Sequence, residues 1–189
     1  MDNKKDYIER TMVAVKPDGV RRQLVGEIIS RFEKVQLKLI ACKMIQIPEE
    51  LAFKHYGQNE EWFLNIGKKM ISFYEEHGFD PKEKIGTLEP MEIGKLVQKW
   101  NVNYLTEGPV VAMIWEGVHA VEIVRKMVGS TLPVQSLPGT IRGDFAVDSS
   151  YSANEQGRSI HNLIHASGTV EEAKLEIELW FKENEIYDY

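Results

Sequence analysis

His165 could supply a nucleophile for covalent chemistry, and Lys16, Arg125, Thr131, Arg142 and Asn162 could supply positive charge and donors. A neutral imidazole nitrogen is a competent nucleophile when an acceptor holds its other nitrogen. Phosphoryl transfer asks a protein for such a nucleophile in line with a leaving oxygen, and for positive charge and donors around the migrating group. Each residue also has a plainer reading. A lone histidine is most often structural or at the surface, and His55, His77, His119 and His161 are read that way. Lys16 could be a solvated residue at a strand end, Arg125 a complement to a helix dipole, and Arg142 a charge beside a turn. Only the elements that carry these residues can decide between the readings.

Thr11 to Val15 is a short apolar, β-branched run that stops at Lys16-Pro17-Asp18-Gly19, a strand followed by turn chemistry, so Lys16 stands where a strand ends. Leu24, Val25, Ile28, Ile29, Phe32 and Val35 repeat at helical spacing. Leu37 to Ile47 reads as a strand ended by Pro48, and Val110 to Trp115 as a strand buried on both faces. Val118, Val121, Val124, Met127 and Val128 then recur at helical spacing up to Gly129, which places Arg125 on a helix. After a Pro- and Gly-rich segment, Ile141 to Val147 is the expected fourth strand. A last helix starts near Thr169, with Val170, Ala173, Ile177, Trp180 and Phe181 on one face. Between Tyr56 and Gly108 the spacing predicts two helices, Glu60 to Tyr74 and Met91 to Leu105, as an insertion. The pattern predicts an α+β sandwich with helices on one face of a sheet, in one domain over 1–189 with the insertion at about 57–105.

Composition narrows the function classes. A net charge of −6 argues against an electrostatic grip on nucleic acid, and 43% apolar residues can fill one core. One cysteine, Cys42, permits neither a disulfide framework nor a cysteine zinc site and fits a reducing, cytoplasmic setting. The charged N-terminus and the absence of any long apolar run argue against secretion and membrane spanning. No Walker A sequence and no metal-spaced Asp cluster occurs.

Four blocks, in order, carry a family resemblance: Val13-Ala14-Val15-Lys16-Pro17-Asp18-Gly19-Val20, Gly108-Pro109-Val110-Val111-Ala112-Met113, Pro138-Gly139-Thr140-Ile141-Arg142-Gly143-Asp144-Phe145 and Asn162-Leu163-Ile164-His165-Ala166-Ser167. The last matches Asn-x-x-His-[Gly/Ala]-Ser, and the chain resembles the nucleoside diphosphate kinases. The resemblance implies a ferredoxin-like βαββαβ sandwich with a four-stranded antiparallel sheet. It implies transfer of the γ-phosphate of a nucleoside triphosphate to a nucleoside diphosphate by a ping-pong mechanism through a phosphohistidine on His165. Arg125 and Thr131, in Arg-x-x-x-Gly-x-Thr, with Lys16, Arg142 and Asn162, would then hold phosphates. Glu176, eleven residues after His165, would orient its ring, and Tyr56 would stand near the site. The family also implies Mg2+ carried on the nucleotide phosphates rather than by protein ligands, and a homo-oligomer, hexamer or tetramer.

Three departures from the family pattern matter, one of them at Asp148 to Gly157, which lengthens the connection between Phe145 and His165 relative to shorter members. Gly168 stands where many members have an acidic residue, with Ser167 or Thr169 left to cap the last helix. The family's base-stacking Phe cannot be transferred across the insertion: its position falls on Val97 or Leu64 depending on the end counted from, and Trp62, Phe63 and Trp100 become the candidates. The rival reading is a nucleotide-binding regulator that kept the fold and lost the chemistry. Loss of the His, the Lys or either Arg would mark such a protein, and all four are present.

Overall fold

The computed structural model describes residues 7–57 and 59–189. In chain order the elements are β1 (Ile8–Val15), α1 (Pro17–Arg21), α2 (Val25–Lys34), β2 (Lys38–Ile45), α3 (Glu49–His55), α4 (Glu60–Glu76), α5 (Pro81–Ile85), α6 (Pro90–Thr106), β3 (Val110–Val118), α7 (Ala120–Val128), α8 (Ile141–Phe145), α9 (Ser150–Glu155), β4 (Ile164–Ala166) and α10 (Val170–Trp180). The strands form one antiparallel sheet in the order β2-β3-β1-β4. With α2 and α7 as the crossover helices this is the ferredoxin-like βαββαβ arrangement, and the oldest and newest strands of the chain, β1 and β4, lie side by side.

Alternation along each strand divides the core in two. Val13, Val15, Val111, Met113 and Trp115 face α2 and α7, where Ile28, Phe32, Val124 and Val128 meet them. Met12, Ala14, Val110, Ala112 and Ile114 face the other way, against Ala52 of α3, Val102 and Leu105 of α6, and Trp180 of α10. Helices therefore cover both faces, not the one expected. The reason lies in β1 and β3, whose apolar residues are continuous and could not be buried by a sheet covered on one side alone.

The expected strand at Ile141 to Val147 is also corrected. Thr140 accepts a hydrogen bond from Gly143 N at 3.1 Å and so starts the helical turn α8. The fourth strand is instead the three-residue β4 at the sheet edge, where Ala14 lies opposite His165. His165 thus points to the face covered by α3 and α10, while its neighbours Ile164 and Ala166 join the opposite core.

The two helices expected between Tyr56 and Gly108 form close to expectation, as α4 and α6, joined by the short α5. They approach backbone to backbone. A Cβ added at Gly67 would sit 2.0 Å from Pro90 O, and one at Gly94 2.4 Å from Phe63 O. Met70, Tyr74 and Ile93 make a small core of their own, with Val97 and Trp100 packed on it. No helix among the described residues is long and apolar enough to cross a membrane.

Candidate active site

The segment 162–166 folds as it does because its backbone is held from three sides. Ile164 N donates to Asn162 O at 2.8 Å, closing a three-residue turn around Leu163, whose φ is +67. A branched side chain resists that left-handed conformation, so the turn persists only where its surroundings enforce it. Lys16 N donates to Leu163 O at 2.8 Å. The Tyr104 hydroxyl, from the end of α6, accepts from Asn162 N at 3.1 Å and Leu163 N at 3.3 Å. The turn directs the Asn162 side chain toward Lys16 and delivers His165 to the middle of β4.

Asn162 Oδ1 accepts from Lys16 Nζ at 2.8 Å, and its Nδ2 donates to Thr131 O at 3.0 Å. Lys16 is buried, with Nζ 4.8 Å from the Tyr104 ring centre. Burial first, and then the Arg142 charge, lower its pKa to about 7, with Asp18 opposing. Arg142 is the most enclosed cation of the site. Its Nε donates to Asn162 O, Nη1 to Gly129 O and Ser130 O, and Nη2 to Ile164 O, at 2.6 to 3.1 Å. Four of its five N–H groups are thus committed to carbonyls, leaving one for a phosphate. Arg125, near the end of α7, reaches Ala166 O at 3.4 Å and faces the same cleft.

Glu176 Oε1 lies 2.7 Å from His165 Nε2, off the ring N–H axis, so the contact is a close one without good hydrogen-bond alignment. Glu176 Oε2 accepts from Ser167 Oγ at 2.5 Å, and Ser167 accepts from Met12 N at 3.2 Å, which anchors the carboxylate to β1. Burial raises the Glu176 pKa. Burial and the nearby Lys16 lower that of His165 to about 3, so its ring is neutral at physiological pH. With Nε2 turned to Glu176, the lone pair for attack is on Nδ1.

These residues line one cleft of about 510 Å³, a size suited to a small ligand. Lys16, Arg125, Thr131, Arg142, Asn162 and His165 occupy one end, with Tyr56 beside them. Trp62, Ile66, Met70, Val97 and Trp100 of the insertion wall the other. Of the three aromatic candidates Trp62 and Trp100 face the cleft, whereas Phe63 does not line it.

Several residues that sequence reading left aside belong to this constellation. His55, read as structural, packs edge to face on His165 with ring centres 4.4 Å apart. The signal available in the sequence was its place directly before Tyr56. Ser167 was considered only as a helix cap, and that position falls to Thr169, which accepts from Glu172 N. Glu172 answers the missing acid at Gly168: its Oε2 accepts from Gly168 N at 2.6 Å and lies 2.5 Å from where a Cβ on Gly168 would be. It is the one carboxylate lining the cleft among the described residues. His55, His165 and Glu176 each bring a metal-capable donor atom within 4.8 Å of the others; His55 Nδ1 accepts from Trp180, and Glu176 Oε1 lies against His165 Nε2.

The geometry has counterparts among known proteins. The family model for nucleoside diphosphate kinase matches residues 9–77 and 92–186, with its gap inside the insertion. The nucleoside diphosphate kinase of Pyrobaculum aerophilum is 48% identical over 181 residues, 96% of this chain and 99% of that one. That of Borreliella burgdorferi is 40% identical over 184 residues, 96% of this chain and 92% of that one. A crystal structure of an NDP kinase from Pyrobaculum aerophilum superposes with a TM-score of 0.92 at 47% identity, covering 96% of this chain and all of that one. A transition-state mimic of the Borrelia burgdorferi enzyme, with bound vanadate and ADP, does so with a TM-score of 0.76 at 38% identity, covering 97% and 92%.

Proposed function

Given that this chain belongs to the nucleoside diphosphate kinase family and transfers the γ-phosphate of a nucleoside triphosphate to a nucleoside diphosphate, we propose that Nδ1 of His165 carries the phosphoryl group between the two nucleotides. The observation that supports this most is the ring's orientation: Nε2 against Glu176, and Nδ1 left for a cleft lined by Lys16, Arg125, Thr131 and Arg142. Nδ1 attacks the γ-phosphorus, an N–P bond forms, and the bond from phosphorus to the β,γ-bridging oxygen breaks, releasing the diphosphate with its electron pair. In the return step a terminal oxygen of the acceptor diphosphate attacks the same phosphorus. The N–P bond breaks and its electron pair returns to Nδ1. Charge that builds on the ring in the first step is met by Glu176, which Ser167 holds in place.

Lys16 and Arg125 neutralise the phosphates, Asn162 and Thr131 fix their neighbours, and Arg142 offers its remaining N–H while shaping the backbone around them. The donor set fits Mg2+ arriving on the nucleotide: among the described residues the cleft has one carboxylate, Glu172, too few for a protein cage of a hard cation that keeps water and phosphate ligands. When bound, Mg2+ would neutralise phosphate charge, with Glu172 the residue placed to meet its water shell. The base would stack at the insertion end, on Trp62 or Trp100, a contact indifferent to base identity. We read the chain as one catalytic domain bearing an insertion, and as a cytoplasmic homo-oligomer, on the family likeness and the single cysteine.

The deciding experiment incubates the protein with γ-labelled ATP. The native chain should yield an acid-labile, base-stable phosphoprotein and parallel double-reciprocal plots, and His165→Asn should yield neither while still binding ADP. Wild-type exchange by the Asn variant would end this reading.

A further inference from the structure

α10 presents Glu176 and Trp180 four residues apart, hence on one face, and both are buried against the ring that α3 delivers, His55. His55 is almost wholly enclosed, its side chain 1% exposed. Its ring stands at 82° to that of His165 and at 88° to that of Trp180, with Tyr56 a further edge contact at 4.8 Å. Two polar atoms approach its Nδ1. Trp180 Nε1 donates to it at 3.3 Å, and Glu176 Oε1 lies 3.6 Å away.

An indole N–H can only donate, so the nitrogen that receives it must be the unprotonated one, and the ring hydrogen must be on Nε2. In that state His55 turns a lone pair, not a proton, toward Glu176 Oε1. Were Nδ1 protonated, His55 would become a second imidazole N–H competing for the oxygen that serves His165 Nε2. We propose, resting on the reading of His165 as the nucleophile, that Trp180 locks His55 in the tautomer that cannot pair with Glu176, so that this carboxylate is reserved for His165, and that His55 and Trp180 are positioning residues for the transfer.

The charged groups around His55 agree. Glu176 from α10 alone favours a proton on it; His165 from β4 and Lys16 from the end of β1 oppose one. Burial, the largest influence, and these neighbours bring its pKa to about 3. A neutral His55 therefore costs the site nothing at working pH, whereas a charged one would take half the carboxylate away at the moment positive charge forms on His165.

The test reads the tautomer and the chemistry separately. Nitrogen-15 NMR of the native chain should show His55 as the Nε2–H tautomer, without titration from pH 8 to 5. Trp180→Phe removes the donor but leaves the ring buried, so His55 should stay neutral while its hydrogen shifts toward Nδ1, the nitrogen that faces Glu176. The rate of phosphoenzyme formation should fall in this variant, because a second imidazole N–H then competes for Glu176. His55→Phe/Trp180→Phe, with no second imidazole to compete, should recover most of the native rate. A merely structural Trp180 would leave the double variant as slow as Trp180→Phe or slower, and that result overturns the proposal, as does an Nδ1–H tautomer in the native chain or an unchanged Nε2–H tautomer in Trp180→Phe. Should Trp180→Phe fail to fold, the native NMR spectrum still decides. Absence of any phosphoenzyme in the native chain would instead count against His165, with the tautomer read independently.

Discussion

Arg142→Lys preserves a charge and is expected to unravel much of the site. The four carbonyls that Arg142 serves, those of Gly129, Ser130, Asn162 and Ile164, converge on a planar fork, and one ammonium cannot occupy the Nε and both Nη positions. At least two buried acceptors lose their donor. At about 1 to 3 kcal/mol for each buried acceptor left unpaired, the loss is about 2 to 6 kcal/mol. That is a large share of the 5 to 15 kcal/mol or so that typically holds a domain together. It corresponds to a fall in Tm of about 5 to 20 °C for a chain of this length. Burial and Arg125 lower the Arg142 pKa to about 10, so the native residue remains charged at neutrality and the comparison is between shapes, not charges. Urea denaturation followed by far-ultraviolet dichroism, beside single-turnover phosphorylation by ATP, measures both sides. A Lys variant with native stability but lost activity would refute the backbone-clamp argument and leave Arg142 a phosphate ligand alone. Native stability and native rate together would remove it from the site.

Lys16 should make nucleotide binding pH-dependent. Its pKa of about 7 in the ligand-free enzyme is low because its charge is buried, and bound phosphates favour the charged form. ADP binding at pH 8 should therefore take up a proton, visible in calorimetry as a heat that varies with buffer ionisation enthalpy, and affinity should fall as pH rises through 7; Lys16→Met should bind without proton uptake. Gly168→Asp should destabilise the chain by about 1 to 3 kcal/mol, because the new side chain enters the space of the Glu172 carboxylate. Adding Glu172→Ser should restore most of that loss in a thermal melt, and simple additivity would refute the swap. Gly94→Ala should separate α4 from α6, since its Cβ would overlap Phe63 O. Affinity for ADP, followed by tryptophan fluorescence, should drop about five- to tenfold through loss of roughly 1 kcal/mol of stacking, with little change in phosphorylation rate at saturation.

How much of this could be read from residues alone depended on the kind of signal. Helices α2, α4, α6, α7 and α10 announce themselves through long apolar periodicity, and β1 and β3 through continuous apolar runs. β4 is three residues long and has no periodicity to show; it is visible only as part of the motif around His165. Ile141 to Val147 misled because an apolar, alternating composition was weighed above the capping threonine before it, and Thr140 with Gly143 is the stronger local interaction. That Lys16 and Asn162 belong with His165 in one cleft was legible because each sits in a local pattern, Lys16 before Pro17 and Asn162 three before His165. His55, Ser167, Glu172 and Tyr104 were not, since their roles exist only through contacts between distant segments. Tyr104 reaches a turn 58 positions along the chain, and Trp180 meets His55 across 125.

The pairing of β1 with β4 also sets an order of events. Met12 and Ser167 are joined across 155 positions, and Lys16 and Asn162 across 146. Contacts of such separation close large loops and form late, after hairpins and helices that need only their neighbours. During synthesis β1, β2, β3, α4 and α6 can assemble the aromatic wall of the cleft first, whereas Lys16 and Arg142 gain their partners Asn162 and Ile164 only when the segment that carries His165 arrives. In refolding from denaturant, ADP binding and the ability to accept a phosphoryl group should therefore return together with the slowest phase, when the last strand takes its place beside the first.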